Sequence, residues 1–169
     1  SEVAKTGDPR FSDIIVTTSD THLLLFGELR DAVNDDMKNG LHSGIPITFS
    51  FFVELAESDP NWLDDTIVKQ EFSHSLTFDT LKEQYIVQVE ESSRKEHEFK
   101  DISAALSLLT EINGLKIIGL DELQADQTYR LRIRANLNKK TLPLNLHALI
   151  PFISWWDLDT NWYSVEFIY

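Results

Sequence analysis

The stretch that decides the fold is Tyr129-Arg130-Leu131-Arg132-Ile133-Arg134-Ala135-Asn136-Leu137. Its odd positions are apolar and its even positions carry three arginines and an asparagine. A period of two is the mark of a strand with one face in a core and one in water. Working outward, Ile45–Leu55 repeats the pattern. Ile45, Ile47, Phe49, Phe51, Val53 and Leu55 share one face, and Thr48, Ser50 and Glu54 the other. Val68, Phe72, Leu76 and Phe78 mark another strand. After Asp79-Thr80 come Tyr85, Val87 and Val89, which predicts a hairpin, with Glu91–Lys100 as a polar edge segment. Phe11–Thr18 and His22–Glu28, joined at Ser19-Asp20, predict an opening hairpin. At the far end Tyr163, Val165, Phe167 and Tyr169 alternate as a terminal strand. The repeated lipid-facing strands of an outer-membrane barrel are not in the sequence.

Two segments carry helical spacing. Leu29, Val33, Met37 and Leu41 recur every four residues, with Gly40, Gly44 and Pro46 as a stop. Ile102, Ala105, Leu106, Leu109 and Ile112 follow the amphipathic pattern, with Asp101 as N-cap and Gly114 as the closing glycine. The predicted fold is mainly β (α+β). It is a two-sheet antiparallel sandwich of about six to nine strands, with two short amphipathic helices over open ends or edges. Residues 1–10 are expected to be a disordered N-terminal segment and 11–169 a single domain. A chain of this length buries roughly two-thirds of its unfolded surface and supports a core without staples.

Composition narrows the function classes. There is no cysteine, which excludes disulfides, thiolate nucleophiles and cysteine-bound metals. The formal net charge of −13 repels phosphate backbones and anionic lipid, so no nucleic-acid partner is expected. Ser1–Arg10 has no apolar signal-peptide core. Leu144–Trp156 is too short to span a bilayer and contains Pro151, so no transmembrane segment is expected in this chain. Either the protein is cytosolic, or a leader or anchor precedes Ser1.

The order of several segments resembles a known family. Leu41-His42-Ser43-Gly44-Ile45-Pro46-Ile47-Thr48-Phe49 is followed by Ser73-His74-Ser75-Leu76-Thr77-Phe78-Asp79-Thr80-Leu81-Lys82-Glu83-Gln84-Tyr85. Then come Phe99 to Leu109, Leu142-Pro143-Leu144 and Trp156-Asp157-Leu158-Asp159-Thr160-Asn161-Trp162. Together they are similar to the bacterial domains of unknown function numbered 4390. Members usually begin with a signal or anchor segment. The resemblance therefore implies an exported protein of the bacterial cell envelope, periplasmic or otherwise extracytoplasmic. Members' genes often stand beside one for a membrane sensor kinase of the nitrogen-regulation type, which implies a signalling link. This chain departs at Ile47, a leucine in members, and at Ser58–Asp65, acidic here where members are basic and aromatic. The resemblance carries no catalytic activity.

His22, His42, His74, His97 and His147 show no metal-ligand spacing. Asp157, Asp159 and Asn161 match the opening of a calcium loop. Trp162 stands where that loop needs glycine and Ile168 where it needs glutamate, so a polar Asx-type turn is the expectation. Arg130, Arg132 and Arg134 either grip an acidic partner or phosphate, or pair across strands with acids such as Glu83, Glu90 or Glu91. The excess of 28 acids over 15 bases favours the second reading, and no aromatic is expected on the arginine face. Trp155, Trp156, Trp162 and Tyr163, with Trp62 in the acidic loop, form either a binding platform or core. Trp155 and Trp156 would point to opposite faces of a strand, leaving one of them open to solvent. No serine elbow, phosphate loop or Walker lysine is present, and the paired acids fit a solvated surface.

The expected function is therefore non-enzymatic: a protein-binding or assembly module of the envelope, without cofactor or metal. Trp155, Trp156, Trp162, Arg130, Arg132 and Arg134 are its expected contact residues. The alternative is a carrier or sensor of a small apolar ligand held between the sheets by Phe49, Phe51, Phe52, Phe72 and Phe78.

Overall fold

A computed structural model describes residues 7–138, 156 and 158–169. Strand β1 (Arg10–Thr18) turns at Ser19-Asp20 into β2 (His22–Arg30), and β7 (Glu111–Gly119) pairs along the far side of β2. These three make the smaller sheet, in the order β1-β2-β7. The larger sheet contains β3 (Ile47–Glu57), β4 (Asp65–Asp79), β5 (Gln84–Val89), β6 (Glu96–Phe99), β8 (Thr128–Leu137) and β9 (Tyr163–Ile168). Its order is β6-β5-β4-β3-β8-β9, and every neighbouring pair is antiparallel. Helix α1 (Asp35–His42) links the hairpin to β3, and α2 (Ile102–Thr110) leads straight into β7. The two-sheet α+β sandwich read from the alternation is the fold. Of residues 1–10, positions 1–6 lie outside the described residues, and Arg10 already opens β1.

The core sits where the alternating faces of β3 and β8 meet the small sheet. Ile47, Phe49, Phe51, Val53 and Leu55 are fully buried beside Tyr129, Leu131, Ile133 and Ala135. Leu23, Leu25, Ile112, Leu115 and Ile117 close over them from β2 and β7. Phe51 stands between Ala135 on one neighbouring strand and Phe72 on the other, so a small side chain makes room for stacked rings.

The helices differ from their expected spans for identifiable reasons. Leu29 is paired in β2 with Phe11, and α1 begins only after Asn34, whose Oδ1 accepts the Met37 N–H at 2.8 Å. The four-residue spacing of Leu29 and Val33 with Met37 thus joins a strand end to a helix. Gly40 lies inside α1 rather than ending it, because Trp156 crosses the helix there. A Cβ at Gly40 would meet the indole at 2.3 Å. The turn itself is made at Gly44, with φ +94°. Asp101 caps α2 by accepting from Ser103 N–H at 3.2 Å, as expected. Gly114, however, does not close that helix. It lies within β7 at φ +70°, where the register against β2 shifts between Leu25 and Phe26. A bulge there returns Leu115 and Ile117 to the inner face.

Gly40→Ala tests the helix–tryptophan contact. Alanine is the better helix former by roughly 1 kcal/mol, and overpacking a core typically costs about 1–3 kcal/mol. We expect net destabilisation in urea unfolding. A gain in stability would show that the indole moves aside freely.

Candidate protein-contact surface

The arginine row faces away from the core on the outer side of β8, as its alternation requires. Each arginine has a different environment. Arg130 is held between Glu166 of β9 and Asp64 of the β3–β4 loop. Those two carboxylates, Glu166 first, raise its guanidinium above the ordinary value and fix its charge. Arg132 donates from Nε to Glu54 Oε2 at 2.7 Å and lies 4.2 Å from the centroid of the Trp162 ring. Arg134 stacks between Phe52 and Trp162, at 4.7 and 5.1 Å. Its Nε is buried without a hydrogen-bond partner among the described residues. Cross-strand neutralisation is the right principle for Arg130 and Arg132, but the partners are Glu54, Asp64 and Glu166 rather than Glu83, Glu90 or Glu91. Nor is the face free of aromatics: Phe52 and Trp162 interleave with the guanidinium groups, because the pairing of Tyr163 with Ile133 sets the preceding Trp162 beside Arg134.

The tryptophans divide accordingly. Trp155 lies outside the described residues. Trp156 is core, 7% exposed and seated on Gly40. Trp162 is half-buried under the two arginines. Asp157 of the candidate cation loop lies outside the described residues, and the rest of that stretch is extended rather than an Asx turn. Leu137 N–H donates to Leu158 O at 2.8 Å, and Thr160 N–H to Ala135 O at 2.9 Å. Asp159 bridges Asn136. Among the described residues no group of three potential metal ligands converges.

The solvent-facing apolar residues gather at another place. Trp62 is 79% exposed and Leu63 96%, side by side in the acidic loop between β3 and β4. Ser58 N–H, at the start of that loop, donates to Thr128 O at 2.9 Å, and Thr128 pairs with Ile168. The loop therefore shares one corner of the large sheet with the end of β9, where Ile168 and Tyr169 are also exposed. Leu63 and Ile168 were not singled out from the sequence. Both left a signal. Leu63 adds a second large apolar side chain to an otherwise polar loop, and Ile168 falls on the opposite face from Phe167.

The space between the sheets is differently filled from the apolar gap that a carrier needs. Phe51 stacks on Phe72 at 5.4 Å, and Phe49 is fully buried. Phe52 points outward under Arg134, and Phe78 packs on His42 and Tyr85. A cleft of about 570 Å³ opens instead beside β7, lined by polar groups that include Gln70, Glu91, His97, Asn113 and Lys116.

The architecture defines a class: an antiparallel two-sheet sandwich with capping helices, in which no helix among the described residues is long and apolar enough to cross a membrane. The chain belongs to the family described as domain of unknown function (DUF4390), whose model matches residues 8–166. No curated protein and no solved structure matches it.

Proposed function

We propose that this domain is a non-enzymatic protein-binding or assembly module of the bacterial cell envelope, and that it meets its partner at the corner built by the β3–β4 loop and β9. The observation that carries the reading is the exposure of Trp62 and Leu63 in the loop that shares a corner of the large sheet with the exposed Ile168. An apolar patch rimmed by charge is what a protein-binding surface presents, and tryptophan is the residue most enriched among binding hot spots. Arg130, Asp64 and Glu166 form a polar rim next to it. The contact thus shifts from the tryptophans expected near the terminus to the loop tryptophan. The carrier reading has less support, since the phenylalanines it requires pack on one another.

A photo-crosslinking amino acid at position 63, in the cells that produce the protein, should give a discrete adduct. The same group at position 20, in the β1–β2 turn, should not. Trp62→Ala should weaken the adduct by about tenfold or more, as loss of a hot-spot tryptophan does. The membrane sensor kinase implied by the family resemblance is the first partner to seek in that adduct. Equal or absent adducts at the two positions would refute the reading.

A further inference from the structure

We propose that the partner enters as an added β-strand along the outer edge of β9. Its segment would alternate apolar residues with a lysine or arginine opposite Glu166. The inference rests on the contact surface proposed above and specifies how that surface is used.

An open sheet edge is a template for another strand, and proteins block edges they do not use. Among the described residues, three of the four sheet edges are blocked. Strand β6 has four residues and exposes Glu96 and Glu98. Strand β1 is bulged between Ser12 and Ile15, with Asp13 in the left-handed region at φ 54°. Strand β7 is bulged as well, and Gln70 Nε2 donates across to its Lys116 and Ile117 carbonyls at 2.9 and 3.3 Å. Strand β9 has none of these devices. Its register against β8 runs unbroken from Thr128↔Ile168 to Ile133↔Tyr163, and Glu166 is its one charged residue.

The hydrogen-bond phase identifies which backbone groups are offered. Tyr169 N–H donates to Gln127 O at 3.2 Å, and Asp126 N–H donates to Tyr169 O at 2.9 Å. Alternation in an antiparallel ladder then turns Tyr163, Val165 and Phe167 toward β8. The N–H and C=O groups of Ser164, Glu166 and Ile168 face outward. Among the described residues no strand lies beyond β9 to receive them.

Charge selects the occupant. In a second copy of this chain, the two-fold register satisfying all three outward residues would set Glu166 against Glu166, between molecules of net charge −13. Asp59, Asp64 and Asp65 crowd the same corner. A basic residue opposite Glu166 relieves that field, and the apolar residues that alternate with it fall on the face of Val165 and Phe167.

The probes are two soluble peptides, one alternating valine with lysine and one alternating valine with glutamate. Backbone hydrogen exchange of the whole chain is the readout. The lysine peptide at saturation should slow exchange at Ser164, Glu166 and Ile168 by about tenfold, and the glutamate peptide should not. Glu166→Pro removes one outward N–H while leaving the β8 ladder intact. It should abolish this protection and also the adduct at position 63. N-methylating alternate residues of the peptide removes the same hydrogen bonds without touching the protein, and should have the same effect on protection. If the adduct survives in Glu166→Pro and neither peptide protects the edge, strand addition is overturned while the contact surface stands. Equal protection by both peptides overturns the basic segment. Protection that grows with protein concentration, without peptide, gives the edge to a second copy and overturns the proposal.

Discussion

Phe51→Ala should lower the unfolding free energy by about 3–5 kcal/mol, the cost of truncating a fully enclosed phenylalanine. Phe51 has no solvent exposure and is the ring on which several others depend. It stacks on Phe72 at 5.4 Å, meets His74 at 4.7 Å, and reaches Phe11 of the opposite sheet at 6.3 Å. Its cross-strand neighbour Ala135 is too small to move into the space. The lost transfer energy and the residual cavity therefore add. Against a typical domain stability of about 5–15 kcal/mol, the loss should shift the melting temperature by roughly 10 °C. Phe52→Ala, one residue along, is the internal control. That ring lies on the outer face under Arg134, so its removal forfeits a cation–π contact of about 1 kcal/mol. Equal losses at the two positions would mean that the core is not where the alternation puts it.

That contrast between adjacent phenylalanines shows what periodicity reveals. Along Ile45–Leu55 and Tyr129–Leu137 one face had to be buried, and the register of β3 and β8 follows from the same constraint. The polar stretch at Glu91–Lys100 is indeed an edge, since a charged four-residue strand could not lie inside a sheet. Less was legible where one pattern crossed two elements. Leu29, Val33, Met37 and Leu41 keep helical spacing although Leu29 ends a strand, because both elements bury the same side of the chain. Strand β7 was hidden behind Gly114, which looked like the end of a helix and is a bulge. The arginine partners were beyond reach of any local rule: Glu54 and Arg132 are 78 positions apart, and Asp64 and Arg130 are 66 apart. The edge of β9 was partly visible. Alternation identified the strand, but its place at the rim of the sheet depends on topology.

The second large effect concerns a side chain whose partner is likewise distant. His74 is fully buried, and its Nδ1 lies 2.9 Å from the Leu109 carbonyl. Its Nε2 lies 2.5 Å from Glu91 Oε1, a carboxylate just beyond β5 that borders the polar cleft. A carbonyl only accepts, so Nδ1 must donate to it. One proton is shared between Nε2 and the Glu91 carboxyl group. Through its two nitrogens the ring joins the end of α2 to the β5–β6 turn. In Glu91→Gln the side-chain amide can still hydrogen-bond Nε2, so stability in urea unfolding should fall by only about 1 kcal/mol. Glu91→Leu offers Nε2 nothing, and the orphaned buried group should cost about 3 kcal/mol. Adding His74→Leu to Glu91→Leu should recover part of that loss, since no buried ring nitrogen is then left unpaired. Recovery stays incomplete because the Leu109 carbonyl still lacks its donor. Equal destabilisation by glutamine and leucine at position 91 would contradict this account of the pair.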